Sequence, residues 1–143
     1  MATTGLRYVT AETLAAWLDQ RPKAKLAILD VRDDDFVGGH IPGALHHASR
    51  RFQTDLRQIV EAVRDKDKIV LHCMQSAQRG LTCARILKEQ LPADKEVYVL
   101  QGGFSEWRRV FQKQAERFAD LNETCWSDED GYLGAVVSRS NQT

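Results

Sequence analysis

The sequence predicts an α/β fold with a central, mainly parallel sheet of about five strands and helices on both faces. Two observations carry this. Short continuous apolar runs, "KLAILDV" (25–31), "KIVLHC" (68–73) and "EVYVLQ" (96–101), have the character of strands buried on both faces of a parallel sheet. They alternate with segments whose apolar residues recur at helical spacing, an order that calls for right-handed crossovers between parallel strands.

Taken in order, "LRYVT" (6–10) is a short first strand. Thr10 is the N-cap of a helix carrying Leu14, Trp17 and Leu18 on one face, ended by Pro22. "KLAILDV" is the second strand. "DDDFVGGHIPGALHHA" (33–48) reads as loop, with Gly and Pro turn chemistry and a further short strand within "GALHHA". From Thr54, the residues Leu56, Ile59, Val60 and Val63 mark a helix. "KIVLHC" is the next buried strand, and "GLTCARILKEQL" (80–91) the next helix, with Leu81, Ala84, Ile86 and Leu87 as its apolar positions and Pro92 beyond its end. "EVYVLQ" leads through Gly102-Gly103 into a helix expected from Phe104 to Phe118 with Trp107, Val110 and Phe111 inside. The organisation expected is one domain over residues 1–118 and a polar C-terminal extension over 119–143, ending in a frayed "VVSRSNQT".

At 143 residues the chain can build its own core. Twenty basic residues balance twenty acidic ones, so net charge points to neither nucleic acid nor a membrane surface, and any anion must be held by a local site. Cys73, Cys83 and Cys125 make no disulfide framework and no paired zinc spacing, and a sparse, odd count suits a reducing compartment. The N-terminus has no apolar signal region, and no apolar run approaches a membrane span. The expected location is cytoplasmic.

The chemistry concentrates in "HCMQSAQRG" (72–80). Ligands of open parallel sheets bind beyond the carboxyl ends of the strands, and Cys73 sits at such an end. If the loop curls, the amides of Met74, Gln75, Ser76, Ala77 and Gln78 converge, and the following helix adds free N–H groups and its positive dipole end. That field stabilises a thiolate. Arg79 offers a planar fork of donors for two oxygens of a tetrahedral oxyanion. A cysteine at a strand end is, taken alone, commonly an inert core residue. Strand, His-Cys, five residues, Arg-Gly and helix in that order select the catalytic reading.

At this point the sequence resembles a known family. "HCMQSAQRG" is similar to the His-Cys-x5-Arg signature of the cell-division-cycle dual-specificity phosphatases and the eukaryotic-type arsenate reductases, both within the rhodanese superfamily. "LDVRDDDFVGGHIPGALHHAS" and "LQGGFSEW" resemble that superfamily's other segments, in the expected order. The resemblance spans roughly residues 8–111 and implies a single rhodanese-like catalytic domain. It also implies that sulfurtransferases have a loop one residue shorter, so the loop here suits a phosphate- or arsenate-sized oxyanion. The phosphatases carry a glutamate on the cysteine side of the loop; Met74, Gln75, Ala77 and Gln78 supply no carboxylate. A phosphate ester of an aliphatic alcohol needs its leaving alkoxide protonated. Arsenate loses only water and brings its own protons.

The resulting expectation is a thiol-dependent arsenate reductase, with antimonate a further substrate candidate and phosphatase turnover a side activity. Cys73 attacks, and Arg79 and the loop amides hold the oxygens. No cofactor is bound and no metal is used. By resemblance, external glutathione with glutaredoxin completes the reduction, and glutaredoxin is the candidate protein partner. A protein-tyrosine or dual-specificity phosphatase is the alternative enzyme, and an oxyanion- or phosphopeptide-binding module the non-enzymatic one. Among supporting residues, His72 is expected to anchor the loop and Asp30 with Arg32 to form a scaffold ion pair. Asp33, Asp34 and Asp35 read as a solvated loop, with an external acid among them as the minor alternative. Cys83 reads as a packing residue rather than a resolving thiol, Cys125 as remote, His46 and His47 as structural, and His40 as part of the Gly-His-Ile-Pro turn. Arg50 and Arg51 read as exposed, or as bordering the entrance.

Overall fold

Five parallel strands form one sheet in the order β1-β5-β4-β2-β3. The computed structural model describes residues 6–21, 23, 25–75 and 78–122; Pro22, Ser76, Ala77 and residues 123–143, with Cys125 and the expected frayed tail, lie outside them. Along the chain come β1 (Leu6–Val9), α1 (Ala11–Asp19), β2 (Leu26–Asp30), β3 (Leu45–His46), α2 (Leu56–Ala62), β4 (Lys68–His72), α3 (Arg79–Gln90), β5 (Glu96–Leu100) and α4 (Gly103–Phe111). Short 3-10 turns lie at Ser49–Arg51 and Ala115–Arg117. Thr10 caps α1 as its position predicts, its hydroxyl accepting the Thr13 N–H at 3.1 Å.

Strand alternation assigns residues to the two faces. On β4, Val70 joins a core with Leu14, Phe104 and Trp107, whereas Ile69 and Leu71 join a second core with Ile59, Ala84 and Leu87. Cys73, one residue past the strand, continues the second set. Helices α1 and α4 therefore cover one face, and α2 and α3 the other. With both faces covered, β2 is buried throughout, which is why its sequence lacks polar alternation.

One element departs from expectation. The helix anticipated from Phe104 to Phe118 stops at Phe111, and the chain turns back. Tertiary contacts explain the turn. The Trp107 indole N–H donates to the Arg117 carbonyl at 2.9 Å, Phe118 packs edge-on against Phe104, and Ala119 bridges to His40. A continued helix would carry Phe118 about 10 Å farther along its axis, away from Phe104. The Asn122 N–H donates to Gly38 O, so the described packing reaches that residue.

Topology places the site. β2 lies between β3 and β4, so the loops leaving β2 and β4 diverge from adjacent strand ends and open a crevice there. The Val31 N–H donates to His72 O at 2.8 Å and holds the two ends together.

Candidate active site

Cys73 is 3% exposed and packs among Val31, Phe52 and Cys83. A cavity of about 330 Å³ opens above it, lined by Cys73, Met74, Gln75, Gln78 and Arg79. Ser76 and Ala77, expected in the same cradle, belong to the part of the loop outside the described residues.

The start of the loop is oriented by α4. The Phe104 N–H donates to Cys73 O at 3.0 Å and the Ser105 N–H to Met74 O at 2.8 Å. In a planar trans peptide the N–H points opposite to the C=O. Tying those two carbonyls to α4 therefore turns the amides of Met74 and Gln75 away from α4, toward the cradle. From the other side, α3 begins at Arg79, and its N-cap residue Gln78 makes no side-chain capping bond, which suits the positive dipole end of the helix to an anion.

In the sequence Gly103 reads only as a turn residue, and the structure gives it a larger part. Its φ is +60°, and a Cβ there would lie 2.6 Å from Met74 O and 2.7 Å from Cys73 O. The loop backbone rests directly on this glycine. The Gly102-Gly103 doublet between strand and helix was the available signal. Gly103→Ala must push the loop off its seat. Because misplacement by about 1 Å can cost about 10²-fold in rate, turnover should fall by that order while the protein remains folded. Steady-state rates beside a thermal melt check this; wild-type turnover would show that the loop tolerates the shift.

His72 is fully buried and stacks on Phe104. Its Nδ1 lies 3.0 Å from Cys73 O, and a carbonyl only accepts, so Nδ1 carries the proton. Nε2 has no hydrogen-bond partner among the described residues and sits 3.7 Å from Asp30 Oδ2. Burial pushes the His72 pKa down, against the pull of Asp30, so the ring is neutral at neutral pH. Asp30 and Arg32 are both fully buried and joined by Nη2–Oδ2 at 2.7 Å and Nε–Oδ1 at 2.9 Å. Burial acts to raise the Asp30 carboxyl, but His72 and Arg32 outweigh it and hold it below the ordinary carboxylate range. With His72 neutral, Arg32 is the partner that matters near pH 7. Arg32 also donates to Gly39 O at 2.9 Å and to Asp35 O at 3.4 Å, and its guanidinium stacks over Phe104 at 4.1 Å. The ion pair thus shapes the loop after β2.

That loop is where the expectation of three solvated carboxylates fails. Arg79 Nη1 donates to Asp33 Oδ2 and to Asp35 Oδ1, both at 3.0 Å, and Nη2 to Asp35 Oδ2 at 2.7 Å. Only Asp34 remains in solvent, its side chain 88% exposed and paired with Arg50. The reason is topological: the partners lie 44 and 46 residues from Arg79 in sequence, and adjacency of β2 and β4 brings their loops together. Burial acts to raise both carboxyls. For Asp33, Ser49, the Arg50 amide and Arg79 more than offset it; for Asp35, Arg79 leads the opposing interactions. Both are ionised at neutral pH and unsuited to donate a proton.

Cys83 is buried, and burial first, then the charges of Cys73 and Asp33, push its thiol up to about 12. His46 stacks on Phe36 with ring centroids 3.8 Å apart, and its Nε2 lies 2.6 Å from Arg32 O; His40 Nε2 lies 2.9 Å from Asp120 Oδ2. Among the described residues no group of three His, Cys, Asp or Glu side chains could hold a metal ion. Nor is any described helix long and apolar enough to cross a membrane.

A strand-end cysteine under an arginine-headed helix, in an open parallel sheet of this order, invites comparison with known folds. The family described as "Rhodanese-like domain" matches residues 10–110. The chain belongs to that family. The rhodanese-like domain is 40% identical over 109 residues to "Dual specificity phosphatase Cdc25" of Arabidopsis thaliana, covering 71% of this chain and 73% of that protein. It is 37% identical over 107 residues to "Arsenate reductase 2.1" of Oryza sativa subsp. japonica, covering 70% and 66%. Among solved structures, Saccharomyces cerevisiae Ygr203w, described as a homolog of single-domain rhodanese and Cdc25 phosphatase catalytic domain, superposes with a TM-score of 0.77. That match has 27% identity and covers 87% of this chain and 93% of Ygr203w. The relatives of this rhodanese-like domain thus bear the names of a phosphatase, an arsenate reductase and, at 34% identity over 104 residues, a thiosulfate sulfurtransferase of Coxiella burnetii.

Proposed function

We propose that this domain is a thiol-dependent arsenate reductase, with antimonate as a second substrate. The observation that carries this reading is the absence, among the described residues, of a carboxylic acid placed to donate a proton. The loop sequence supplies no carboxyl group, and the two carboxylates that the fold brings to the site, Asp33 and Asp35, are ionised against Arg79. In this mechanism the Cys73 thiolate attacks arsenic and water leaves, its protons supplied by the substrate. Arg79 and the amides of the loop residues from Met74 to Gln78 hold the remaining oxygens. An external thiol, glutathione, then attacks the Cys73 sulfur. The S–As electron pair departs with arsenic as arsenite, and the mixed disulfide left on Cys73 is reduced by glutaredoxin. The suppressed thiol of Cys83 supports an external rather than an internal resolving thiol. Two free cysteines in the described fold fit a reducing cytoplasm.

A phosphatase is the second reading, favoured by the 40% identical relative of that name. It would use the same Cys73 and Arg79, form a phosphocysteine and release it to water. One comparison separates the two: NADPH-coupled arsenate reduction with glutathione and glutaredoxin, against turnover of aryl phosphates and phosphothreonine peptides. Each unit of unassisted leaving-group basicity can cost up to about 1.4 kcal/mol, so aryl phosphates should react slowly and phosphothreonine hardly at all. Met74→Glu should raise ester cleavage and leave arsenate reduction unchanged or weaker. Efficient phosphothreonine hydrolysis by the unaltered protein would establish the phosphatase instead.

A further inference from the structure

The carboxylates that pair with Arg79 cannot retreat from it. Asp33 Oδ2 accepts the Ser49 hydroxyl at 2.6 Å, and its Oδ1 accepts the Arg50 amide at 3.1 Å. Asp35 Oδ1 accepts the Asp33 amide at 2.9 Å, and the Asp35 carbonyl is held by Arg32. An oxyanion entering the cradle must therefore share the guanidinium with two fixed negative charges. Once Cys73 is a thiolate, the side chains of Cys73, Asp33 and Asp35 set three negative charges against the one of Arg79. Of the neighbouring cations, Arg50 is 64% exposed and engaged by Asp34, so it offsets little of this excess, and Arg108, buried with its Nη2 3.5 Å from Met74 Sδ, lies at the start of the loop. Each additional negative charge on the bound anion meets the repulsion of both carboxylates.

We propose that Asp33 and Asp35 are specificity-determining residues that select oxyanions by charge, admitting singly charged ones and disfavouring doubly charged ones such as phosphomonoester dianions. Arg79 is thereby a shared donor, and an anion gains from it only what the two carboxylates concede. This inference rests on the reading that the oxyanion sits between Cys73 and Arg79, but it does not depend on which reaction follows. It favours protonated arsenate and hydroxylated antimonate, both available as monoanions, over phosphate esters.

Sulfate and perchlorate test this directly, being tetrahedral oxyanions of similar size whose charges differ and do not titrate near neutral pH. The readout is the anion concentration that halves the alkylation rate of Cys73 by uncharged iodoacetamide, followed by peptide mass at constant ionic strength. In Asp35→Asn and in the double variant Asp33→Asn/Asp35→Asn, protection by sulfate should tighten by about tenfold or more, and that by perchlorate by about threefold or less. Asp34→Asn should change neither. Asp35→Asn keeps the anchors of Asp33 on Ser49 and Arg50, so it serves if the double variant does not fold. Equal shifts for the two anions, or weaker sulfate protection in the variants, would overturn the inference and leave the carboxylates as holders of Arg79. Absence of protection by either anion in every form would overturn it together with the oxyanion reading of the site.

Discussion

Turnover of Cys73→Ser is expected to fall below detection on arsenate and on aryl phosphates alike. An alcohol in that field stays protonated and is the poorer nucleophile, and no described side chain stands ready to replace it, since Cys83 is buried with its thiol pushed up to about 12. Arg79→Lys should be nearly as damaging as Arg79→Ala. In the structure Arg79 binds Asp35 through both terminal nitrogens while sharing one of them with Asp33, and an ammonium has no fork with which to do this. A lysine drawn onto the carboxylates would leave the oxyanion without its donor, at a cost of about 10²–10³-fold in rate. Rates on both substrate classes, beside the alkylation rate of Cys73, check the pair. Wild-type turnover in Cys73→Ser would remove it from the mechanism, and a largely active Arg79→Lys would reduce Arg79 to a general electrostatic role.

The largest effect on stability should come from breaking the pair beneath the site. Arg32→Met leaves Asp30 buried without its partner, and a broken buried pair of this kind costs about 3–5 kcal/mol. Replacing both, as Asp30→Leu/Arg32→Met, should recover much of that stability. It should not recover activity, because the contacts of Arg32 to Gly39 O and Asp35 O are still lost and the loop bearing Asp33 and Asp35 is no longer shaped. The pair also has a pH signature. The Asp30 pKa is lower folded than unfolded, so its stabilisation is complete above the unfolded value of about 3.9 and is lost as pH falls through the native value. Neutral, buried His72 adds a loss of the same sign that begins higher, as pH falls past about 6.5, because the unfolded chain takes up a proton that the folded one resists. Denaturant unfolding from pH 7 to 3 should show the lower leg vanish in the double variant. Persistence of that leg would assign acid unfolding to other carboxylates.

The elements legible in the sequence are those set by local chemistry. Continuous burial of β2 and β4 shows as unbroken apolar runs, Thr10 announces the start of α1, and the order of strand, His-Cys, five residues, Arg-Gly and helix locates the cradle. Each of these signals is carried by neighbours in the chain. The end of α4 was not legible, because its periodicity continues past Phe111 and only contacts of Trp107 with Arg117 and of Phe118 with Phe104 turn the chain back. The role of Gly103 was half legible: a glycine doublet marks a turn, but nothing local reveals that the backbone of Cys73 and Met74 lies against it. The partners of Arg79 were not legible at all. Three aspartates in a polar loop look the same in sequence whether they face water or an arginine 44–46 residues away. What the sequence determined by itself is the sheet, its layers and the cysteine–arginine loop, since hydrophobic period and helix-start chemistry act over a few residues. The charge around that loop, by contrast, is set by residues distant in the chain that the fold brings together. Coulomb interactions act through space, and it is the parallel pairing of β2 with β4 that closes the distance between Asp33, Asp35 and Arg79.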